Sequence, residues 1–162
     1  VAGRLSVRFD QEKYEALFAT AEHEGERVML LKPLTYMNLS GTSIAKAARK
    51  RVPDPADVLV VLDEIQLPLG TVRIRLEGSH GGHNGLRDIS QRMSSHDYWR
   101  IRIGIGHPGD KNQVEHYVLQ KPPPEERAAI DETVAKTVDI LPLCLAGDMQ
   151  GAMLKLHTKE KA

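Results

Sequence analysis

Hydrophobic and polar positions along this chain switch repeatedly between a period near two and a period near 3.6. "RVMLLKP" (27–33) is a short apolar run closed by proline, which predicts a buried strand. "NLSGTSIAKAARK" then offers Ser40 and Thr42 as caps and sets Ile44, Ala45 and Ala48 at helical spacing, giving strand, loop and helix. "ADVLVVLDE" (56–64) is an unbroken apolar run of the kind found in parallel strands covered on both faces. "TVRIRLE" (71–77) alternates Val72, Ile74 and Leu76 with Arg73, Arg75 and Glu77. "YWRIRIGIG" (98–106) repeats the device, with Trp99, Ile101, Ile103 and Ile105 opposite Arg100 and Arg102. Both segments predict strands with one dry face and one wet, basic face, and together they display four arginines. Leu86, Ile89 and Met93 stand at i, i+3 and i+7, predicting a helix that starts where "GSHGGHNG" (78–85) ends. "GHPGD" (106–110) carries the Pro-Gly pair of a type II turn. "KPPPEERAAIDETVAKTVDIL" opens on prolines and brings Ala129, Ile130, Val134 and Val138 into helical register. The charged end, 155–162, is expected to fray. Strands and helices intermingle without a repeat or linker, so the expectation is one α/β globular domain over 1–162 with a twisted mixed sheet flanked by helices.

Composition narrows the function classes. A chain of 162 residues is long enough to bury roughly 70% of its extended-chain surface around one core. Lys plus Arg and Asp plus Glu both number 22, a formal net charge of zero, so a polyanionic partner must be met by local basic patches. The single cysteine, Cys144 in "DILPLCLAG", excludes an intramolecular disulfide and reads as a small buried apolar residue. It fits a reducing compartment, and a cytoplasmic protein is expected. No run approaches the ~18 apolar residues of a membrane span and no signal peptide is visible, so no membrane partner is expected.

The glycine cluster "GSHGGHNG" raises the question of chemistry. Gly78, Gly81, Gly82 and Gly85 surround His80, His83 and Asn84. Each glycine gives up backbone entropy on folding, so the cluster calls for positive φ angles or for close approach by another molecule. Asp63 stands at the C-terminal end of a strand, outside which ligands bind in open α/β sheets, although Asp there also serves as a helix cap or turn former. His80, His83, His107 and Asp63 are residue types that ligate zinc, but no HExxH or paired CxxC spacing is present and no metal is expected. The cluster is neither GxGxxG after a first strand nor GxxxxGK[ST], and no GxSxG elbow occurs. A hydrolysis of another kind remains, with a carboxylate at a strand end and two amide-rich loops, "YMNLSG" and "HGGHNG". Asn38 and Asn84 can each donate to a carbonyl oxygen and accept from a water, which suits orienting water against an ester; each is equally a common loop cap.

"LKPLTYMNLSG" (31–41), "VLDEIQLPLG" (61–70), "GSHGGHNGLRDI" (78–89) and "RIRIGIGHPGDKNQVEHYVLQKP" (100–122), in this order and at these separations, closely resemble bacterial peptidyl-tRNA hydrolase. The resemblance covers about residues 27 to 140. It implies cleavage of the ester joining a stalled peptide to the 3′-terminal ribose of tRNA, without metal or cofactor, by a monomer whose partner is the acceptor stem and 3′ end of peptidyl-tRNA. It further implies that Asp63 orients and polarises the catalytic histidine. Asn38, after Tyr36 and Met37, would hold substrate beside that histidine, and Asn84 would position the attacking water or the carbonyl. His83, Gly81 and Gly82 would form the wall of the cleft, and Arg102 and Lys111 would meet tRNA phosphates. With few aromatics, base stacking is not expected, and binding should weaken with salt.

The family opens on a strand and loop of the type GLGNPGxxYxxTRHNxG, which carries an asparagine and the catalytic histidine. That motif does not occur in these 162 residues, and Val1 aligns in the helix or loop that follows it. His23, in "AEHEGE", is the only histidine before Asn38, and its charged neighbours read as an exposed turn. The expectation is a hydrolase body whose complete form is active. The alternative is a non-catalytic RNA-binding relative, like the plant chloroplast intron-splicing factors of this fold, or an accessory subunit of a ribonucleoprotein.

Overall fold

One antiparallel and one mixed sheet, each of three strands, contain all the strands in a computed structural model that describes residues 1–51 and 54–161, with side-chain environments up to Leu156. The expected frayed segment, 155–162, thus falls largely outside the described side chains; its backbone is helical through Lys161. The chain folds as two compact units. The first comprises Val1–Leu59 and Leu76–Trp99, and the second Val60–Arg75 and the chain from Arg100 onward.

The first unit begins with β1 (Gln11–Lys13), β2 (Ala16–His23) and β3 (Glu26–Pro33), paired in that order and antiparallel. Both connections are two residues long, Tyr14-Glu15 and Glu24-Gly25, and all four residues have positive φ, the backbone hand that matches strand twist in tight hairpins. Ala16, Phe18, Ala19 and Ala21 are buried. The apolar run at 27–33 forms a strand as expected, but Val28 to Leu31 are only half-buried. His23 ends β2, paired with Glu26 across the turn and half-buried.

A 3-10 turn, Met37–Leu39, leads directly into α1 (Ser40–Arg51), and α2 (Asn84–Met93) follows the glycine cluster. Small buried residues on α1 (Gly41, Ser43, Ala45, Ala47, Ala48) let it lie close to the buried Gly85, Leu86, Ile89 and Ser90 of α2. Tyr98 is fully buried, its hydroxyl 2.8 Å from Ser90 Oγ.

The mixed sheet has the order β4 (Leu59–Glu64), β6 (Trp99–Gly104), β5 (Val72–Leu76), and lies in the second unit apart from Leu59, Leu76 and Trp99. Trp99 N–H donates to Val58 O and Ile105 N–H to Glu64 O, so β4 and β6 run parallel. Glu77 N–H donates to Tyr98 O and Gly104 N–H to Thr71 O, so β5 runs antiparallel to β6. This is the mixed sheet expected. Three burial expectations are corrected. β6 is the central strand, and Arg100 on it is 1% exposed and is not part of a wet basic surface. β4 stands at the sheet edge, and Val61 is 49% exposed rather than covered on both faces. Leu76, at the end of the other edge strand, is also exposed.

The second unit continues with α3 (Val114–Leu119), α4 (Pro124–Leu145) and α5 (Met149–Lys161). α4 starts on proline as expected, yet its buried face is Thr133, Thr137, Ile140, Leu141 and Cys144, while Val134 is exposed. The two threonines are tolerated there because each hydroxyl donates to the carbonyl four residues back, at 2.9 Å. Cys144 is buried as expected, and burial pushes its thiol up to about 11. No described helix is long and apolar enough to cross a membrane.

Candidate active site

Within the first unit, seven of the predicted residues come from two segments that pack on each other. Tyr36, Met37 and Asn38 lie at the 3-10 turn before α1, and all three are exposed, Tyr36 at 82%. Ser40 Oγ donates to Met37 O at 2.8 Å, and Leu39 N–H donates to Tyr36 O, so the turn is pinned to the helix it precedes. Gly81, Gly82, His83 and Asn84 form the other segment. Gly81 and Gly82 have φ of 57° and 85°, a backbone that favours glycine and curls the loop back onto α2. His80 Nδ1 accepts from Gly82 N–H at 3.0 Å, and His83 N–H donates to His80 O. His83 is the N-cap of α2, its Nδ1 accepting from Leu86 N–H at 3.2 Å, a role that residue type alone did not suggest. Asn84, exposed, is the first residue of α2.

Gly85 explains why the segments meet. It is buried, and a Cβ added there would lie 2.8 Å from Met37 Sδ and 2.9 Å from His83 Cε1. The turn carrying Asn38 and the helix start carrying Asn84 are thus in direct contact.

Within the second unit, Asp63 is the penultimate residue of β4 and half-buried, the strand-end position predicted for it. Its neighbour Glu64, which residue reading passed over, is buried and accepts from Arg102 of β6 through Nε (2.9 Å) and Nη2 (2.7 Å), both on Oε1. Arg102 is therefore built into the sheet through an ion pair rather than standing free on a basic face. Lys111 is exposed in a 3-10 turn capped by Asp110. Tyr117, also missed from sequence, donates its hydroxyl to Ile105 O; burial, and secondarily Glu126, push its phenol up. Among the described residues no group of three or more His, Cys, Asp or Glu could hold a metal ion.

The fold is that of an α/β protein whose first unit carries the two asparagine-bearing segments and whose second unit carries a strand-end carboxylate. The model of the peptidyl-tRNA hydrolase family matches residues 1–162, and the chain belongs to that family. It is 46% identical over 166 residues to the peptidyl-tRNA hydrolase of Polynucleobacter asymbioticus, covering 98% of this chain and 85% of that protein. It is 47% identical over 159 residues to that of Delftia acidovorans, covering 98% and 77% respectively. The crystal structure of peptidyl-tRNA hydrolase from Acinetobacter baumannii superposes with a TM-score of 0.91 at 34% identity, over 96% of this chain and 79% of that one.

Proposed function

We propose that this chain hydrolyses the ester between a peptide, or an N-blocked amino acid, and the 3′-terminal ribose of tRNA, and so recycles tRNA from stalled translation. The observation that carries the reading is the contact between the Met37–Leu39 turn and the α2 N-terminus, which sets two exposed carboxamides, Asn38 and Asn84, on adjoining segments. A carboxamide can donate to the ester carbonyl and accept from water, so such a pair holds both reactants of a hydrolysis. Water adds to the carbonyl carbon, the bond to the ribose oxygen breaks, and the products are a peptide carboxylate and a tRNA hydroxyl. Tyr36, Met37, Gly81, Gly82 and His83 border this pair and contact the peptide and terminal nucleotide, while Lys111 and the accessible part of Arg102 meet phosphates. Asp63 orients the general base. In the family that base is a histidine of the GLGNPGxxYxxTRHNxG motif, which these residues do not contain. The protein acts in the cytoplasm as a monomer, a placement supported by its lone, buried, unpaired cysteine.

The test uses the chain extended at its N-terminus with a strand and loop of that motif, assayed on N-acetyl-aminoacyl-tRNA. Asp63→Asn is expected to lower turnover by ~10²–10⁴ while leaving tRNA retention intact. Unchanged turnover would overturn the role given to Asp63.

A further inference from the structure

We infer that Asp88 is a positioning residue for the ester-cleaving site: its carboxylate locks the segment bearing Asn38 to the helix bearing Asn84. The inference rests on the proposed role of those two asparagines and adds the device that holds them in register. Asp88 sits one turn into α2, four residues after Asn84, and its side chain is 13% exposed. Its Oδ2 accepts from the backbone N–H of Gly41, in the first turn of α1, at 2.8 Å. That donor is one of those a helix N-terminus leaves without an intrahelical partner, and the helix dipole favours a carboxylate there. Gly41 N–H is only three residues from Asn38, and the intervening Ser40 is fastened to Met37 O. Any slip of α1 along α2 therefore moves Asn38 relative to Asn84.

Three further features make the lock stiff. Gly41 has no room for a side chain, because a Cβ would run into the Asp88 backbone carbonyl. Arg92, one turn further on, donates through Nε to both carboxylate oxygens at 3.0 and 3.1 Å, fixing the rotamer that faces Gly41. At the other end of the contact, Met37 fills the space that Gly85 leaves. The Asn38 turn is thus held on α2 at two places. Asp88 supplies the polar one, its carboxylate bonded to Gly41 and Arg92.

The enzyme used is the motif-extended chain described above, with kcat and KM measured on N-acetyl-aminoacyl-tRNA alongside thermal unfolding. Asp88→Ala should lower kcat at least tenfold with KM changed less than threefold. Asp88→Asn, whose carbonyl still accepts from Gly41 N–H, should recover most of that loss. Arg92→Ala, which keeps the Asp88–Gly41 bond but frees the Asp88 rotamer, should lower kcat by less than Asp88→Ala does. A fall in Tm without a fall in kcat per folded molecule would overturn the inference, as would equal losses in Asp88→Ala and Asp88→Asn. Asn38→Ala and Asn84→Ala separate the two levels. If they lower kcat and Asp88→Ala does not, the lock alone fails; if they leave kcat unchanged, the reading of the site fails. Should Asp88→Ala not fold, amide exchange in the 162-residue chain decides. A Gly41 N–H protected at least tenfold over an unstructured amide, its shift tracking a carboxylate titration, supports the lock, and an unprotected one overturns it.

Discussion

Glu64 and Arg102 form an ion pair in which both side chains are largely covered, 8% and 18% exposed, and breaking it should be costly. Glu64→Ala leaves a guanidinium with two donors pointing at a vacated site between paired strands. Removing one member of a buried pair typically costs ~3–5 kcal/mol, because the survivor keeps its desolvation penalty and loses its compensation. With a urea m-value of ~2 kcal/mol per M for a chain of this size, the midpoint of equilibrium unfolding should fall by about 2 M. Replacing both members with apolar residues of similar volume, as in Glu64→Leu with Arg102→Met, should restore most of the loss, since neither charge then remains buried. Raising NaCl from about 0.15 to about 1 M should barely change the cost, because covered charges are poorly screened. A midpoint shift below about 0.5 M for Glu64→Ala would place the pair among surface ion pairs, which contribute ~0–1 kcal/mol, and would refute this reasoning. The result also bears on tRNA binding. Arg102→Ala removes the sheet's ion pair together with the proposed phosphate contact, so any binding defect has to be read on protein shown to be folded.

Two other outcomes follow from the structure. Lys111→Ala, at an exposed turn, should weaken tRNA retention alike for all tRNA sequences and lower the slope of log K against log salt by ~0.9; an unchanged slope would remove Lys111 from the phosphate contacts. Cys144 is held protonated by burial, its pKa raised from 9.0 to about 11, so the unfolded chain ionises first as pH rises. Its contribution to stability is therefore whole below pH 9 and lost between pH 9 and about 11. The decline in unfolding midpoint over that window should be shallower in Cys144→Ala, and identical slopes would show that folding does not raise the thiol's pKa.

Much of this fold could be read from periodicity because the mixed sheet and the helices around it carry their signal locally. The runs at 59–64, 72–76 and 99–104 are strands and 84–93 and 124–145 are helices, close to the boundaries that alternation and spacing predict. Of the antiparallel β1–β2–β3 sheet only β3 was legible. "EKYEALFATAEHEGE" is rich in Ala and Glu, residues that favour helix, and three of the four residues in its tight turns are not glycine. Burial was misread wherever it depends on a strand's place in the sheet. Alternation in "YWRIRIG" says which residues share a face, but not that the face bearing Arg100 is covered, and Arg100 is 1% exposed. The helix α4 was placed correctly and its face was not, because threonines that bond back along the helix can be buried as readily as valines.

The site followed the same division. Motif and strand-end logic selected Asn38, Asn84 and Asp63, yet the residues that hold the two asparagine-bearing segments together were invisible, since Asp88, Gly41 and Gly85 matter through partners far away in sequence. The glycine cluster shows why one residue type can hide two jobs. Gly81 and Gly82 supply positive φ, so that the loop folds back and His83 caps α2. Gly85 is an ordinary helical residue whose missing side chain admits Met37. The adjacent acids Asp63 and Glu64 divide labour in a similar way. Successive residues of a strand face opposite sides of the sheet, so Glu64 can neutralise Arg102 while Asp63 presents its carboxylate to the other face. Swapping the two residues would put the shorter carboxylate against Arg102 and the longer one at the strand-end position. A pair so placed gains its two roles from register alone, which is why a single-residue slip of β4 would cost both the ion pair and the candidate catalytic carboxylate at once.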